Sequence, residues 1–245
     1  RNELVISTKV FGSMSEDVND RGLSRKHIME SVEKSLKRIG IDYLDIYFCH
    51  RYDKETPLEE TARAMDDLVH QGKVLQWGAS MWSAGQLAEA HGLADARNLY
   101  APRVEQPQYS LLARQRFEKD ILPVIERTGM GVVVYSPLAC GMLTGKYDDG
   151  IPDDSRFAQL EWLQKRWFRE EVVQKVREMK RIADDLGCTR AQLALAWAIA
   201  QPGITSVITG ATRPEQVEEN LKAAEIEIAP DAMEKLDELF PVEGV

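Results

Sequence analysis

The chain has 245 residues, a formal net charge of −9 and three cysteines. Its 44% hydrophobic and 29% charged residues suit a globular protein with a sizeable core, and the acidic balance argues against nucleic acid or an anionic membrane surface as the main partner. Cys49, Cys140 and Cys188 form no C-x-x-C pair, so no metal site and no disulfide framework are expected.

Apolar and β-branched residues at 4–9 (LVISTK) predict a first strand. Residues 24–40 open on Ser24, space Ile28, Val32, Leu36 and Ile39 helically and close on Gly40, which predicts a capped helix. A second strand covers 43–50, ending on His50, with Arg51 and Asp53 just beyond. Residues 57–72 run from Pro57 to Gly72, the asymmetry of helix ends. A strand at 74–80 precedes a helix at about 83–91, and a strand at 103–110 precedes a helix around 119–127 that ends at Gly129. A strand at 131–136 leads into a long polar connection, 137–157. Helices at 170–186 and 189–201, a strand at 205–210 and helices at 213–225 and 230–240 complete the chain.

Six strands, each followed by helix, imply a parallel sheet covered by helices. No G-x-G-x-x-G follows a strand, so the dinucleotide fingerprint of an open doubly wound sheet is absent. The strands end instead in unlike polar groups: Lys9, His50, Ser80, Gln106, Ser136 and Gly210–Thr212. Polar ends on every strand suit the C-terminal face of a (β/α)8 TIM barrel. An eight-unit barrel takes about 250 residues, yet six units already occupy this chain. Two βα units, about sixty or more residues, are therefore expected before Arg1, with a gap between the first and last strands. No internal boundary is visible, so a single domain over 1–245 is expected. The longest apolar run, AQLALAWAIA, is too short to span a bilayer. No signal-peptide pattern stands in the sequence, and a reducing cytoplasm is the expected setting.

The stretches STKVF, RGLSRKHI, TPLEETARAMDDLVHQGK, WGASMWSA, EQPQYSLLAR, YSPLACGMLTGKYDDGIPDDSR, LGCTRAQLALAWAI and SVITGATRPEQVEEN resemble the aldo-keto reductase family. The resemblance is nearest to the branch containing the potassium-channel β subunits and their bacterial reductase relatives. It implies a barrel with NADPH across its C-terminal face and reduction of a small aldehyde or ketone to an alcohol. Of the family's tetrad, Lys9 matches the lysine and His50 the histidine. The aspartate and tyrosine lie in the family on the first two βα units, and Tyr43, Tyr47 and Tyr52 do not stand in that motif. The channel subunits carry asparagine at the His50 position, so His50 favours an active reductase. The alternatives are a cofactor-binding channel subunit or an inactive fragment. Channel-subunit relatives form tetramers, so a homo-oligomer is an expected state.

The same resemblance places the cofactor. Ser80 and Gln106 match the side chains that hold the nicotinamide carboxamide, and Tyr135 matches the aromatic that stacks on its ring. Ser136, Pro137, Leu138, Ala139, Cys140 and Gly141 match the loop around the pyrophosphate, with Lys146 and Arg156 as basic groups nearby. Gly210, Thr212, Gln216, Glu219 and Asn220 match the adenosine-phosphate site at a helix N-terminus, with Arg213 assisting. Met81 departs from the pattern, standing where most reductases have asparagine. Outside these motifs, His27, His70 and His91 read as surface or helix-end groups, and 148–154 either as a solvated acidic loop or as a segment that borders the cofactor and helps close over it. Trp162, Trp167 and Phe168 either line a substrate pocket or pack the long loop.

Overall fold

The computed structural model describes residues 1–243. Its elements run β1 (Ser7–Val10), α1 (Arg25–Ile39), β2 (Leu44–Cys49), α2 (Leu58–His70), β3 (Val74–Ser80), α3 (Ala84–Arg97), β4 (Val104–Gln106), α4 (Leu122–Thr128), β5 (Gly131–Val134), α5 (Arg156–Gln159), α6 (Glu161–Trp167), α7 (Glu170–Asp185), α8 (Arg190–Ala200), β6 (Ser206–Val207), α9 (Pro214–Leu221) and α10 (Pro230–Leu239). All strand pairs are parallel, in the order β1-β2-β3-β4-β5-β6. The α/β alternation matches the sequence reading.

The chain divides into two compact parts, residues 1–107 with 120–132, and residues 108–119 with 133–245. In the first part the helix signals hold. Ser24 Oγ accepts from the His27 amide, and Gly40 takes the left-handed conformation that closes α1. Ser83 and Gln86 form a reciprocal capping box at the start of α3. The core gathers Phe48, Tyr47, Trp77, Trp82, Leu44 and Met65. Trp77 can be buried because its Nε1–H donates to Tyr100 O at 2.7 Å.

In the second part, Tyr147 stacks on Phe157 with centroids 4.1 Å apart, and Tyr109 stacks on Trp197 at 5.1 Å. Arg114 is buried beneath α10. Its guanidinium donates to Glu118 at 2.7 Å, Asp237 at 2.6 Å and Phe240 O at 2.9 Å, so the charge is fully partnered.

Several expectations need correction. The strand expected at 103–110 ends at Gln106, because Pro107 has no N–H to continue a ladder. The strand expected at 205–210 keeps only Ser206–Val207, and the one at 4–9 begins at Ser7. A π-helical turn, Arg116–Ile121, leads into α4. The connection at 137–157 is not all loop. A 3₁₀ stretch covers Ala139–Thr144, α5 begins at Arg156, and Tyr147 and Phe157 are fully buried. Of the two readings of His27, the helix-end one holds, since it stands in the first turn of α1 and is 1% exposed. Trp162 is 59% exposed whereas Trp167 is buried, so the loop's aromatics divide between surface and core.

Candidate functional site

Register sets the geometry of the first part. Lys9 pairs with Phe48, Phe48 with Gly78, and Gly78 with Val104. Side chains two residues apart share a face of a sheet. The next layer on that face is Ser80 opposite Gln106, and His50 follows Phe48 just past the end of β2. The His50 amide donates to Val10 O at 2.9 Å, which holds that strand end against β1. Gly78 leaves room for this arrangement. A Cβ there would stand 2.5 Å from Val104 O and 2.9 Å from the Phe48 ring. Phe48 in turn floors the Lys9 ammonium, which lies 5.8 Å over its ring. Ser80 is buried, and its hydroxyl donates to Gln106 O at 2.9 Å.

Thus Lys9, His50, Ser80 and Gln106 come together at the C-terminal ends of neighbouring strands. The electrostatics there are cationic. Burial, then the charge of Arg51, lowers the Lys9 pKa below 10.5. Burial, then Arg51 and Lys9, lowers that of His50 below 6.5, which favours the neutral imidazole. Cys49, facing the other side of β2, is fully buried with its thiol pKa pushed far up by burial and then by Glu105; it is not a nucleophile.

Two groups that sequence reasoning left unassigned shape this corner. Asp53 accepts from the Leu23 amide at 2.7 Å, the Glu55 amide at 2.9 Å and Thr56 Oγ1 at 2.8 Å. Burial alone would raise its pKa, and these hydrogen bonds outweigh it and hold the carboxyl below its ordinary value. It ties the loop that follows Lys9 to the loop that follows His50. The signal in the sequence was a charge placed just past a strand end. Arg51 is the other group, half-buried, with Nη1 donating to His50 O. Met81 follows Ser80 with φ of 60°, a left-handed conformation in which asparagine is several-fold enriched.

In the second part, Tyr135 is bridged to Gln108, and Ser136 begins a loop of unusual backbone. Ser136, Ala139, Cys140 and Gly141 all have positive φ. Lys146 folds back across this loop. A Cβ on Gly141 would stand 2.8 Å from Lys146 Cε and 2.9 Å from Nζ, and the φ of 98° there suits glycine. Pro137 and Ala139 are buried, and Leu138 is partly so. Arg156 is exposed at the start of α5. Arg190 anchors the far side of the loop, pairing with Asp148 at 2.8 Å and donating to Val176 O at 3.0 Å; Asp148 is therefore not simply a solvated loop charge. Gly210, Thr212 and Arg213 are exposed before α9, and the Thr212 amide donates to Gln216 Oε1 at 2.8 Å. Arg213 occupies the α9 N-cap without a side-chain capping bond. Glu219 and Asn220 lie further along α9, where Glu219 O accepts from Gln192 at 3.0 Å.

The residues fit a nucleotide. A cation laid over a left-handed loop suits a diphosphate, and the basic N-cap of α9 suits a phosphomonoester. No cluster of three His, Cys, Asp or Glu among the described residues could hold a metal. No described helix is long and apolar enough to cross a membrane.

A sequence model described as the Aldo/keto reductase family matches residues 1–240. The chain is 47% identical to a probable voltage-gated potassium channel subunit beta of Arabidopsis thaliana over 245 aligned residues, 98% of this chain and 74% of that protein. It is 45% identical to a probable subunit of the same name from Oryza sativa subsp. japonica over 242 residues, 97% of this chain and 74% of that one. A putative subunit of Schizosaccharomyces pombe is 44% identical over 247 residues, 98% of this chain and 72% of that protein.

Proposed function

The chain belongs to the aldo/keto reductase family, which supports an oxidoreductase, and from that premise we propose an NADPH-dependent reductase of aldehydes or ketones. The observation that carries the reading is the placement of Lys9 and His50 at the ends of the adjacent strands β1 and β2, held together by the His50 amide bond to Val10 O. Bound NADPH would supply the hydride. Ser80 and Gln106 would hold the carboxamide of its nicotinamide, and Tyr135 would stack on the ring. The loop from Ser136 to Gly141 with Lys146 and Arg156 would take the diphosphate. Gly210, Thr212, Arg213, Gln216, Glu219 and Asn220 would take the adenosine phosphate. Neutral His50 would donate a hydrogen bond to the substrate oxygen, and the Lys9 ammonium would favour the ionised form of the family's tetrad tyrosine, the proton donor there, to which no residue of this chain is assigned.

The test is NADPH consumption with 4-nitrobenzaldehyde, read against alcohol formed, together with dissociation constants for NADPH and NADH. On a version that carries the family's first two βα units, we expect turnover and a clear preference for NADPH that shrinks in Thr212→Ala and Arg213→Ala. Equal affinity for the two cofactors would overturn the phosphate assignment. A second reading, a cofactor-binding channel subunit, is favoured by the names of the relatives at 44–47% identity. NADPH binding without turnover, with co-purification of a channel, would select it.

A further inference from the structure

We propose that Arg51 is a substrate anchor, and that the preferred carbonyl compounds carry a carboxylate a few bonds from the carbonyl carbon. The inference rests on the reductase reading and names the substrate class of that same site. Arg51 follows His50 directly, and one guanidinium nitrogen is fixed on His50 O. A guanidinium offers five N–H donors. Among the described residues Arg51 makes no ion pair, and the His50 carbonyl is the one acceptor assigned to it. The nearest carboxylate in sequence, Asp53, is consumed by Leu23, Glu55 and Thr56.

This is an unusual place to leave an arginine. It stands beside Lys9 and His50, and it opposes the protonated form of both. Lys9 and Arg51 repel one another and oppose a charge on His50, and an anionic ligand relieves that repulsion. Arg51 also presents the planar fork that binds a carboxylate in two-point fashion. Its attachment to the His50 backbone limits how far the anchored carboxylate can lie from an oxygen hydrogen-bonded to the His50 ring. A carbonyl with a nearby carboxylate satisfies both contacts, whereas a neutral aldehyde satisfies one.

The experiment compares phenylglyoxylate with its methyl ester, and 4-carboxybenzaldehyde with its methyl ester, as substrates for the wild type, Arg51→Gln and Arg51→Lys. Each pair differs chiefly in charge. We expect the wild type to favour the acids by about tenfold or more in kcat/KM, mainly through KM, the range of one charge-assisted hydrogen bond. Arg51→Gln should lower kcat/KM for the acids at least about tenfold more than for the esters, and Arg51→Lys should restore part of the preference. Calorimetric binding of phenylglyoxylate and its ester, with NADP+ present, separates the two levels of the argument. Tighter binding of the acid that depends on Arg51, without turnover, would overturn the reductase reading and leave the anchor standing. Turnover of esters and acids alike, or an Arg51→Gln effect equal on both, would overturn the anchor and leave the reductase.

Discussion

Lys9 shows how one side chain can be read twice. At the end of an apolar run, a lysine is ordinarily a solvated group; the motif around it suggested chemistry, and the register with Phe48 gives its ammonium an aromatic floor. In a version that carries the family's first two βα units, Lys9→Met should lower turnover by about 10²–10⁴-fold while cofactor affinity, measured by fluorescence titration, changes little. Turnover at the wild-type level would remove Lys9 from the mechanism. The pH dependence has a definite sign. The Lys9 pKa is depressed by burial and by Arg51, so the ammonium is lost earlier as pH rises, and the alkaline limb of kcat/KM should fall below pH 10.5. His27 gives a stability prediction of the opposite sense. Burial lowers its pKa below 6.5 in the folded state, against the attraction of Asp20. The unfolded chain therefore binds the extra proton first, and stability falls as pH drops through 6.5 toward the folded value. Urea midpoints of the wild type and His27→Gln, compared from neutral to mildly acidic pH, should show a shallower acid loss in the variant. Parallel curves would exclude His27 as a source. Met81→Asn should stabilise the protein by about 1 kcal/mol, since asparagine suits a left-handed backbone better than methionine.

At the scale of elements, capping chemistry was legible in part. Ser24 and Gly40 act as local residue order predicts, whereas the capping boxes of Ser83 with Gln86 and Thr189 with Gln192 were not singled out, Ser80 having been the cap expected for α3. The lengths of β4 and β6 were not legible, because an apolar run states burial and not how far a neighbour's ladder extends. Nor was the segment after β5. Its 3₁₀ stretch and short helices are too brief for periodicity to reveal, and its shape comes from distant partners such as Arg190. For the candidate site, the motifs named Lys9 and His50 but gave no sign that Asp53 joins their loops. Asp53→Ala leaves the buried Leu23 amide without its acceptor. It should cost about 1.5–3 kcal/mol, the value of hydrogen bonds to a charged group, and raise KM if the loops lose their mutual placement. A urea midpoint equal to that of the wild type would show that the tie contributes nothing. Gly78→Ala tests the packing beneath the same site. The contact at 2.5 Å is with a backbone carbonyl that cannot swing aside, so a loss of about 1–3 kcal/mol is expected.

At the scale of the whole chain, charge and exposed apolar surface pull in opposite directions. The strand order begins at β1 and ends at β6, each hydrogen-bonded to one strand in that order. A strand at the end of such an order can offer backbone N–H and C=O groups to another chain. Beside β1, Val5 is 75% exposed; beyond β6, the α9 residue Leu221 is 67% exposed, and α9 buries none of its residues. The net charge of −9 keeps copies apart at low ionic strength, but salt screens that repulsion beyond about 10 Å at 0.1 M while leaving the apolar attraction in place. The chain should therefore sediment as a monomer at low salt and form larger species as salt rises. Val5→Glu with Leu221→Glu adds charge where the apolar contacts would form, and should hold the protein in the smaller form at high salt. Sedimentation velocity across a salt series decides the matter. Salt-independent sedimentation of the wild type would mean that these surfaces do not drive association, and identical salt responses of wild type and variant would place the contact elsewhere.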